Sequence, residues 1–243
     1  MSDKIEVLGS SVDALTMRSA VSRIAASIAE RRTCQVVTAN AEILYTAWRD
    51  PKLFLVLHDA DLVTADGMGV VLASRLLGKP LPERVAGVDL VHELADYGQR
   101  ASWRFYLLGA RPQVVQAAAT RLQQLYPGIV IAGYRDGYFT ADQLPMVLHD
   151  IKQSKADILL VAMGAPKQDL WLHQHLAGSG VPVGIGVGGT FDILAGTAER
   201  APLWMQRSSL EWLFRLWKQP GRFWRMLVLP KFIWAVLWQK WTR

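Results

Sequence analysis

Thr64-Ala65-Asp66-Gly67-Met68-Gly69 joins an apolar strand pattern over residues 62–65 to a helical pattern over residues 70–77. A strand that ends in a glycine turn and runs straight into a helix is the joint of an open α/β sheet. Ligands of such sheets bind where strands end and helices begin. The glycines allow a tight turn and close approach by a ligand. Asp66 then stands at a strand's C-terminal end, beside a helix N-terminus. Taken alone, the stretch makes Asp66 a helix cap sooner than a catalytic group. The rest of the chain reverses that order.

Outward from Asp66 the same joint recurs. Residues 4–8 read as a first strand, and Val12-Asp13-Ala14-Leu15 as the start of a long helix to about residue 31. Gln35-Val36-Val37-Thr38 is a β-branched strand that runs into Ala39-Asn40-Ala41-Glu42 and a helix through Trp48. Pro51 opens another helix, ending near His58. Beyond Asp66, Gly78-Lys79-Pro80-Leu81-Pro82 is a rigid loop. It leads to Arg84-Val85-Ala86-Gly87-Val88-Asp89 and a helix to Arg100. Residues 104–108 form a strand that ends in Gly109-Ala110, with Pro112 near the first turn of a helix reaching Tyr126. Residues 129–134 are a further strand. Two strongly apolar strands, residues 157–163 and 181–187, end in Gly164-Ala165-Pro166-Lys167-Gln168 and Gly188-Gly189-Thr190-Phe191-Asp192. Continuous apolar strands alternating with helices predict an α/β fold: a Rossmann-like parallel sheet covered by helices on both faces. In such a sheet five strand ends line one edge: Thr38/Asn40, Asp66, Gly109, Gly164 to Gln168, and Gly188 to Asp192. That many polar and glycine-rich turns on one edge predict a substantial polar ligand, a phosphorylated one.

At 243 residues and 51% hydrophobic the chain can bury a full core. Its single cysteine, Cys34, excludes an internal disulfide and a multi-cysteine zinc site. Cys34 lies in an apolar strand pattern and reads as buried filler. No signal segment opens the chain, and no apolar run approaches the roughly 18 residues of a membrane span, so the expected location is the cytoplasm. The net charge of +6 hides two compositions. Residues 200–243 carry +8 and seven of the ten tryptophans, whereas residues 1–199 carry −2. The expected organisation is therefore an α/β catalytic domain, 1–199, and a basic, Trp-rich helical appendage, 200–243. Pro220 and Pro230 divide the appendage into three helical pieces. Arg215, Lys218, Arg222 and Arg225 are spaced three, four and three, as on one helix face. Basic residues among Trp, Phe and Leu are the pattern of a helix lying in a membrane interface. The alternative is a terminal helix docked on the body. At about 1 kcal/mol per Lys/Arg near an anionic leaflet, half of an excess of eight already gives useful binding. The apolar fraction is too high for a groove that tracks nucleic acid.

Several site readings are excluded. Gly184-Ile185-Gly186-Val187-Gly188-Gly189 lacks the βαβ acid about 20 residues on that a dinucleotide site requires, and Gly164-Ala165-Pro166-Lys167 lacks P-loop spacing. His173 and His175, two apart on a helix, point to different faces and disfavour a metal pair. No Asp-x-Asp motif and no nucleophile elbow occurs. Lys167 at a helix start opposes the helix dipole unless an anion binds there. Arg84 pairs either with Glu83 or Asp89, or with a substrate phosphate or carboxylate.

Five ordered motifs resemble those of the WecG/TagA/CpsF glycosyltransferases, glycosyltransferase family 26, over roughly residues 5–225. They are Thr38-Ala39-Asn40-Ala41-Glu42, Thr64-Ala65-Asp66-Gly67, Arg84-Val85-Ala86-Gly87-Val88-Asp89, Gly164-Ala165-Pro166-Lys167-Gln168 and Gly188-Gly189-Thr190-Phe191-Asp192. The resemblance implies inverting transfer from a UDP-sugar to a polyprenyl-diphosphate-linked sugar, in the synthesis of bacterial surface polymers on the cytoplasmic leaflet. It implies no bound metal and no other cofactor. The aspartate matching Asp66 is the family's general base, taking the acceptor hydroxyl proton. Thr38, Asn40, Gln168 and Arg84 match residues of that pocket. Tyr138 and Asp192 match positions that hold the uridine. Gly164, Lys167, Gly188 and Gly189 lie in the turns that would face the donor. Arg215, Arg222 and Arg225 match basic positions of an appendage that sits on the membrane and closes over the diphosphate. The expected partners are a UDP-sugar, a lipid-linked acceptor and an anionic membrane surface. Nucleic acid is not expected, and family members can associate with one another. Known relatives use N-acetylmannosamine, its uronate or glucose, and no motif here chooses among them. A truncate ending near Ala201 is expected to fold but to lose activity. The competing reading is a non-catalytic, nucleotide-sugar-binding or membrane-scaffolding relative. A nucleotide-dependent oxidoreductase is a weaker third.

Overall fold

The computed structural model describes residues 4–202, 205, 213–214 and 227–242. Its centre is a six-stranded sheet of β3 (Cys34–Ala39), β4 (Leu62–Ala65), β5 (Arg104–Gly109), β6 (Val130–Arg135), β7 (Ile158–Ala162) and β8 (Val183–Gly186). The order is β4-β3-β8-β7-β5-β6, and every pairing is parallel. This is the expected α/β class.

Side-chain alternation decides the layers. On β3, Val36 joins one core cluster and Val37 the other. Val36 packs with α1 (Met17–Ala29), α5 (Gly87–Ala101), α6 (Pro112–Leu125) and α9 (Thr190–Leu194), through Ile24, Leu94, Leu122 and Phe191. Val37 packs with α2 (Ala41–Arg49), α3 (Pro51–Asp59) and α4 (Met68–Leu76), through Leu44, Leu57 and Val70. Further along that second face, Leu159 and Val161 meet α7 (Leu144–Gln153) and α8 (Lys167–Ser179) through Ile151, Trp171 and Leu176. Strands buried on both faces need both faces covered, which is why they read as unbroken apolar runs.

The first element differs from expectation. Val12-Asp13 does not start a helix. It belongs to β2 (Ser10–Asp13), which folds back antiparallel on β1 (Lys4–Val7) in a two-stranded sheet of its own. Leu8 (φ 50°) and Gly9 (φ 81°) both lie in the left-handed region, which a tight two-residue hairpin turn requires. Asp13 is buried and acts as a bracket. Its carboxylate accepts the Val63 N–H of edge strand β4 at 2.9 Å and pairs with Arg23 at 3.2 Å. The helix starts only after Thr16, whose hydroxyl accepts the Ser19 N–H.

The last element is α10 (Val228–Trp241). Pro230 stands in its first turn, where a missing N–H costs nothing. Phe232, Ala235 and Val236 are buried in the same cluster as α2 and α4. Gln239 clips the far end to the hairpin, accepting the Leu8 N–H at 2.8 Å and donating to Glu6 O at 3.2 Å. The opposite face exposes Trp234, Leu237, Trp238 and Trp241. So α10 is docked on the body by one face and Trp-rich on the other. No helix among the described residues is long and apolar enough to cross a membrane.

Candidate active site

Parallel pairing brings the C-terminal ends of β3, β4, β5, β7 and β8 to one edge, and with them the five chemistry-bearing turns. Chain direction opens the edge further. From β3 the connection leads outward to β4, and from β5 it leads outward to β6 at the other end. Ligands of open α/β sheets bind at such a reversal of chain direction.

Helix ends give this edge its electrostatics. α2, α4, α6, α8 and α9 follow β3, β4, β5, β7 and β8 respectively. Only α2 has a side-chain cap, Asn40 Oδ1 accepting the Ile43 N–H at 3.0 Å. α4, α6, α8 and α9 begin without one, as does α5, which starts beside them at Gly87. By contrast α1 and α3, which begin elsewhere, are capped by Thr16 and Asp50. Uncapped N-termini leave backbone N–H groups pointing out with the positive end of the helix dipole, a setting for anions.

Asp66 stands half-buried at the end of β4, its N–H donating to Ala39 O at 2.8 Å across to β3. It is not the helix cap. That position is Gly67, at φ 135°, and no side chain caps α4. A Cβ on Gly67 would lie 3.7 Å from the Asn40 side chain, so the Asp66 and Asn40 turns are neighbours. Asn40 spends its Oδ1 on the cap, which leaves Nδ2 without a partner among the described residues.

Thr38 and Gln168 are buried supports of this edge. Thr38 Oγ1 donates to Gly186 O at 2.8 Å, and Gly87 packs on it so closely that a Cβ there would meet Oγ1 at 3.3 Å. Gln168 Oε1 accepts the Gly188 N–H at 3.0 Å and so shapes the turn after β8. Arg84 Nη2 stands 3.6 Å from Asp89 Oδ2, one of the partners the sequence left open for it. Glu83 instead accepts the Met17 N–H. Lys167 is exposed at the start of α8. Gly164 (φ 78°) and Gly188 (φ 53°) are left-handed, and Gly189 precedes α9. Asp192 O accepts the Thr197 and Ala198 N–H groups.

Tyr138 is brought to the same edge but far from Asp66. The Gly137 N–H bonds Ala110 O beyond the end of β5, at 3.0 Å, and Tyr138 is 73% exposed. Four strand spacings separate β5 from β4, about 19 Å. That distance suits an extended ligand lying across the strand ends. Arg215, Arg222 and Arg225 lie outside the described residues.

Two groups here escaped sequence reasoning. Arg200 forms a bidentate pair with Asp89, Nη1–Oδ1 2.6 Å and Nη2–Oδ2 2.7 Å. Asp169, next to Gln168, is fully buried with neither carboxyl oxygen hydrogen-bonded among the described residues. Burial pushes its carboxyl up to about 7. A carboxylate directly after Gln168 was a visible signal for Asp169. Arg200, 111 residues from Asp89, gave none. Cys34 is buried and its thiol is pushed up to about 11 by burial, which fits filler rather than nucleophile. His173 faces Asp59 at 3.8 Å while His175 leans on Trp171, so the two diverge. No cluster of three or more His, Cys, Asp or Glu among the described residues is arranged to hold a metal ion.

Residues 5–243 match the model of the glycosyl transferase WecG/TagA/CpsF family. The chain belongs to that family. It is a glycosyltransferase. Its relatives include three proteins named N-acetylglucosaminyldiphosphoundecaprenol N-acetyl-beta-D-mannosaminyltransferase. The one from Bacillus spizizenii is 41% identical over 83% of this chain and 78% of its own length. Those from Bacillus subtilis and Staphylococcus aureus are 38% identical (83% and 78% covered) and 36% identical (90% and 87%).

Proposed function

We propose that this chain transfers N-acetylmannosamine, with inversion, from its UDP derivative to the sugar of an N-acetylglucosaminyl-diphospho-polyprenol. The observation that carries this is the edge itself: the Asp66 carboxylate beside a row of uncapped helix N-termini, in a chain of this family. The relatives' names favour N-acetylmannosamine over its uronate or glucose.

In this reading the donor lies along the edge, its uridine toward Tyr138 and Asp192 and its diphosphate over the Gly164 and Gly188 turns. The N–H groups of α8 and α9, with Lys167 and Arg84, offset the charge that grows on the departing UDP. Asp66 takes the proton from the acceptor hydroxyl as that oxygen attacks the anomeric carbon from the face opposite UDP. Asn40 Nδ2, the group its cap leaves over, donates to the acceptor or donor sugar. Thr38 and Gln168 act from below, by fixing the β3 and β8 turns. The lipid-linked acceptor is held in a membrane, so the enzyme must visit one. The exposed Trp face of α10 and the basic residues Arg215, Arg222 and Arg225 would bring it there, on the cytoplasmic leaflet, and close over the diphosphate.

The test is a transfer assay on a polyprenyl-linked N-acetylglucosamine acceptor with UDP-linked N-acetylmannosamine, its uronate, glucose, glucuronate and N-acetylglucosamine, with EDTA present. Transfer from the N-acetylmannosamine donor is expected. In Asp66→Asn it should fall about 10²- to 10⁴-fold, the worth of a positioned base, with UDP binding retained. An Asp66→Asn enzyme as fast as the wild type would remove Asp66 from the chemistry. Loss of turnover only when EDTA is added would remove metal independence.

A further inference from the structure

Asp169 is a fully buried carboxyl that the transfer described above does not use. It stands in the first turn of α8, against the end of β8. Side chains hold that strand end and the turn after it from below. Thr38 Oγ1 donates to Gly186 O at 2.8 Å, and Gln168 Oε1 accepts the Gly188 N–H at 3.0 Å. Asp169 Oδ1 and Gln168 Nε2 close together on Gly186, where a Cβ would lie 2.6 Å from one and 2.7 Å from the other. From β3, Gln35 Nε2 donates to Asp169 O at 2.9 Å and ties the start of α8 to the sheet.

The Gln168 amide serves the turn in one orientation only. The Gly188 N–H needs Oε1, which sends Nε2 the other way, toward Gly186 and the Asp169 carboxyl. With an apolar residue at 169, Nε2 would be a buried donor facing nothing, and an amide swung away from Gly188 would gain by comparison. Gly188 itself is left-handed at φ 53°, so its N–H is presented by a turn that depends on this support. Charge matters as well. An ionised Asp169 would set a buried negative charge beneath a turn that receives a diphosphate. Burial pushes the carboxyl up to about 7, against smaller lowering by its own N–H and the Gln168 amide. No charged neighbour sets that value. β7 and β8 carry no titratable residue, and β3 brings only Cys34. His173 of α8 faces Asp59 of α3, His175 leans on Trp171, and Lys167 is exposed. On α7, Asp150 pairs with Arg135, and Lys152 lies by Gly180 at the far end of α8.

We propose that Asp169 is a positioning residue for the donor, holding the Gln168 amide against the Gly188 turn from beneath. This rests on the function proposed above, which lays the donor's diphosphate over that turn. Donor binding then weakens as Asp169 loses its proton.

Full-length wild type, Asp169→Asn and Asp169→Ala are titrated with UDP-linked N-acetylmannosamine in the absence of acceptor, then compared in steady-state transfer, with EDTA throughout. The diphosphate of this probe is esterified at both ends and has no proton to lose near neutral pH. For the wild type, Kd should rise about tenfold or more from about pH 6 to about pH 8.5, as the competent, protonated fraction falls. Asp169→Asn offers Nε2 an oxygen at every pH, so its Kd should stay flat and within about threefold of the wild-type value at pH 6. Asp169→Ala should bind about tenfold more weakly at pH 6, with kcat at saturating donor changed less than about threefold. Asp169→Ala that binds as tightly as the wild type overturns the proposal. Parallel Kd curves for the wild type and Asp169→Asn overturn it too, since another group then carries the pH dependence, and this arm stands even where Asp169→Ala folds poorly. If the folded wild type binds no UDP-sugar, the proposed function fails instead. Hydrogen exchange then decides the support itself: the Gly188 amide should exchange about tenfold faster in Asp169→Ala than in Asp169→Asn, and equal rates overturn it.

Discussion

Asp169 occupies a place where a carboxylate is costly. It is fully buried in the first turn of α8 against β8, so close that a Cβ on Gly186 would lie 2.6 Å from its Oδ1 and 2.7 Å from Gln168 Nε2. Only glycine fits opposite that pair. Burial raises the carboxyl from 3.8 to about 7, so the folded chain holds a proton that the unfolded chain has already released. Stability from this group is complete below about pH 4, is lost as pH rises to about 7, and is flat above. A rise from 3.8 to about 7 corresponds to about 4 kcal/mol across that window. Asp169→Asn carries the neutral shape at every pH. Its unfolding free energy should therefore lack this fall between pH 4 and 7, and at pH 8 the variant should be the more stable protein. Denaturant titrations of both proteins across pH 4–8 would show it, and parallel curves would refute the shift. The sequence placed Asp169 beside Gln168 but could not say that β8 lies over it, because that contact joins a helix to the neighbouring strand rather than to its own turn.

At the scale of elements, the two ends of the chain hold each other. The hairpin β1–β2 brackets edge strand β4 through Asp13, and α10 brackets the hairpin through Gln239 while covering α2 and α4. Its apolar periodicity was legible, but which face would be buried was not, since Trp and Phe occur all around the helix. Phe232, fully buried, is the anchor. Phe232→Ala should cost about 3–5 kcal/mol, the usual range for a truncated core aromatic. A truncate ending near Ala201 loses this whole contact and uncovers α2 and α4. It should be both inactive and less stable than the full chain, so its inactivity alone would not isolate a catalytic role for the appendage. Thermal unfolding of the Phe232→Ala variant is the measurement. A midpoint unchanged within a degree or two would mean that α10 contributes nothing to the body. The misread first helix has a similar origin: Val12-Asp13 suits either period, and only the left-handed Leu8–Gly9 turn folds it back on β1.

The whole molecule pairs a polar edge of strand ends with an aromatic flank. The candidate edge is lined by helix N-termini. The flank carries Trp234, Trp238 and Trp241 on α10, with Trp234 and Trp238 stacked at 5.8 Å. A groove of about 550 Å³ between α10 and α2–α3 adds Trp48 and Phe54 to that surface. So much exposed aromatic area on one side, with Lys231 and Lys240 on the same helix, suits a membrane interface. Trp234→Ser, Trp238→Ser and Trp241→Ser combined should weaken binding to anionic vesicles about tenfold or more with little change in unfolding temperature, because exposed side chains contribute little to folding. Unchanged vesicle sedimentation would exclude this face as the membrane contact. A matching loss of a self-association equilibrium would assign it to a second copy of the chain instead.

Much of this protein is written along the chain. Unbroken apolar strands alternating with amphipathic helices demand a doubly covered parallel sheet, since such strands have no face to turn to water. A parallel sheet then sends Asn40, Asp66, Gln168 and Asp192 to one edge without any further information. Local chemistry sufficed there because each turn follows its own strand. What only the tertiary structure decided are the contacts between residues distant in sequence: Arg200 on Asp89, Asp169 under Gly186, Gln239 on the hairpin, and α10 docked by Phe232 rather than by a tryptophan. Those pairings depend on which elements become neighbours in the sheet and on its faces. Local periodicity and spacing carry no record of that choice.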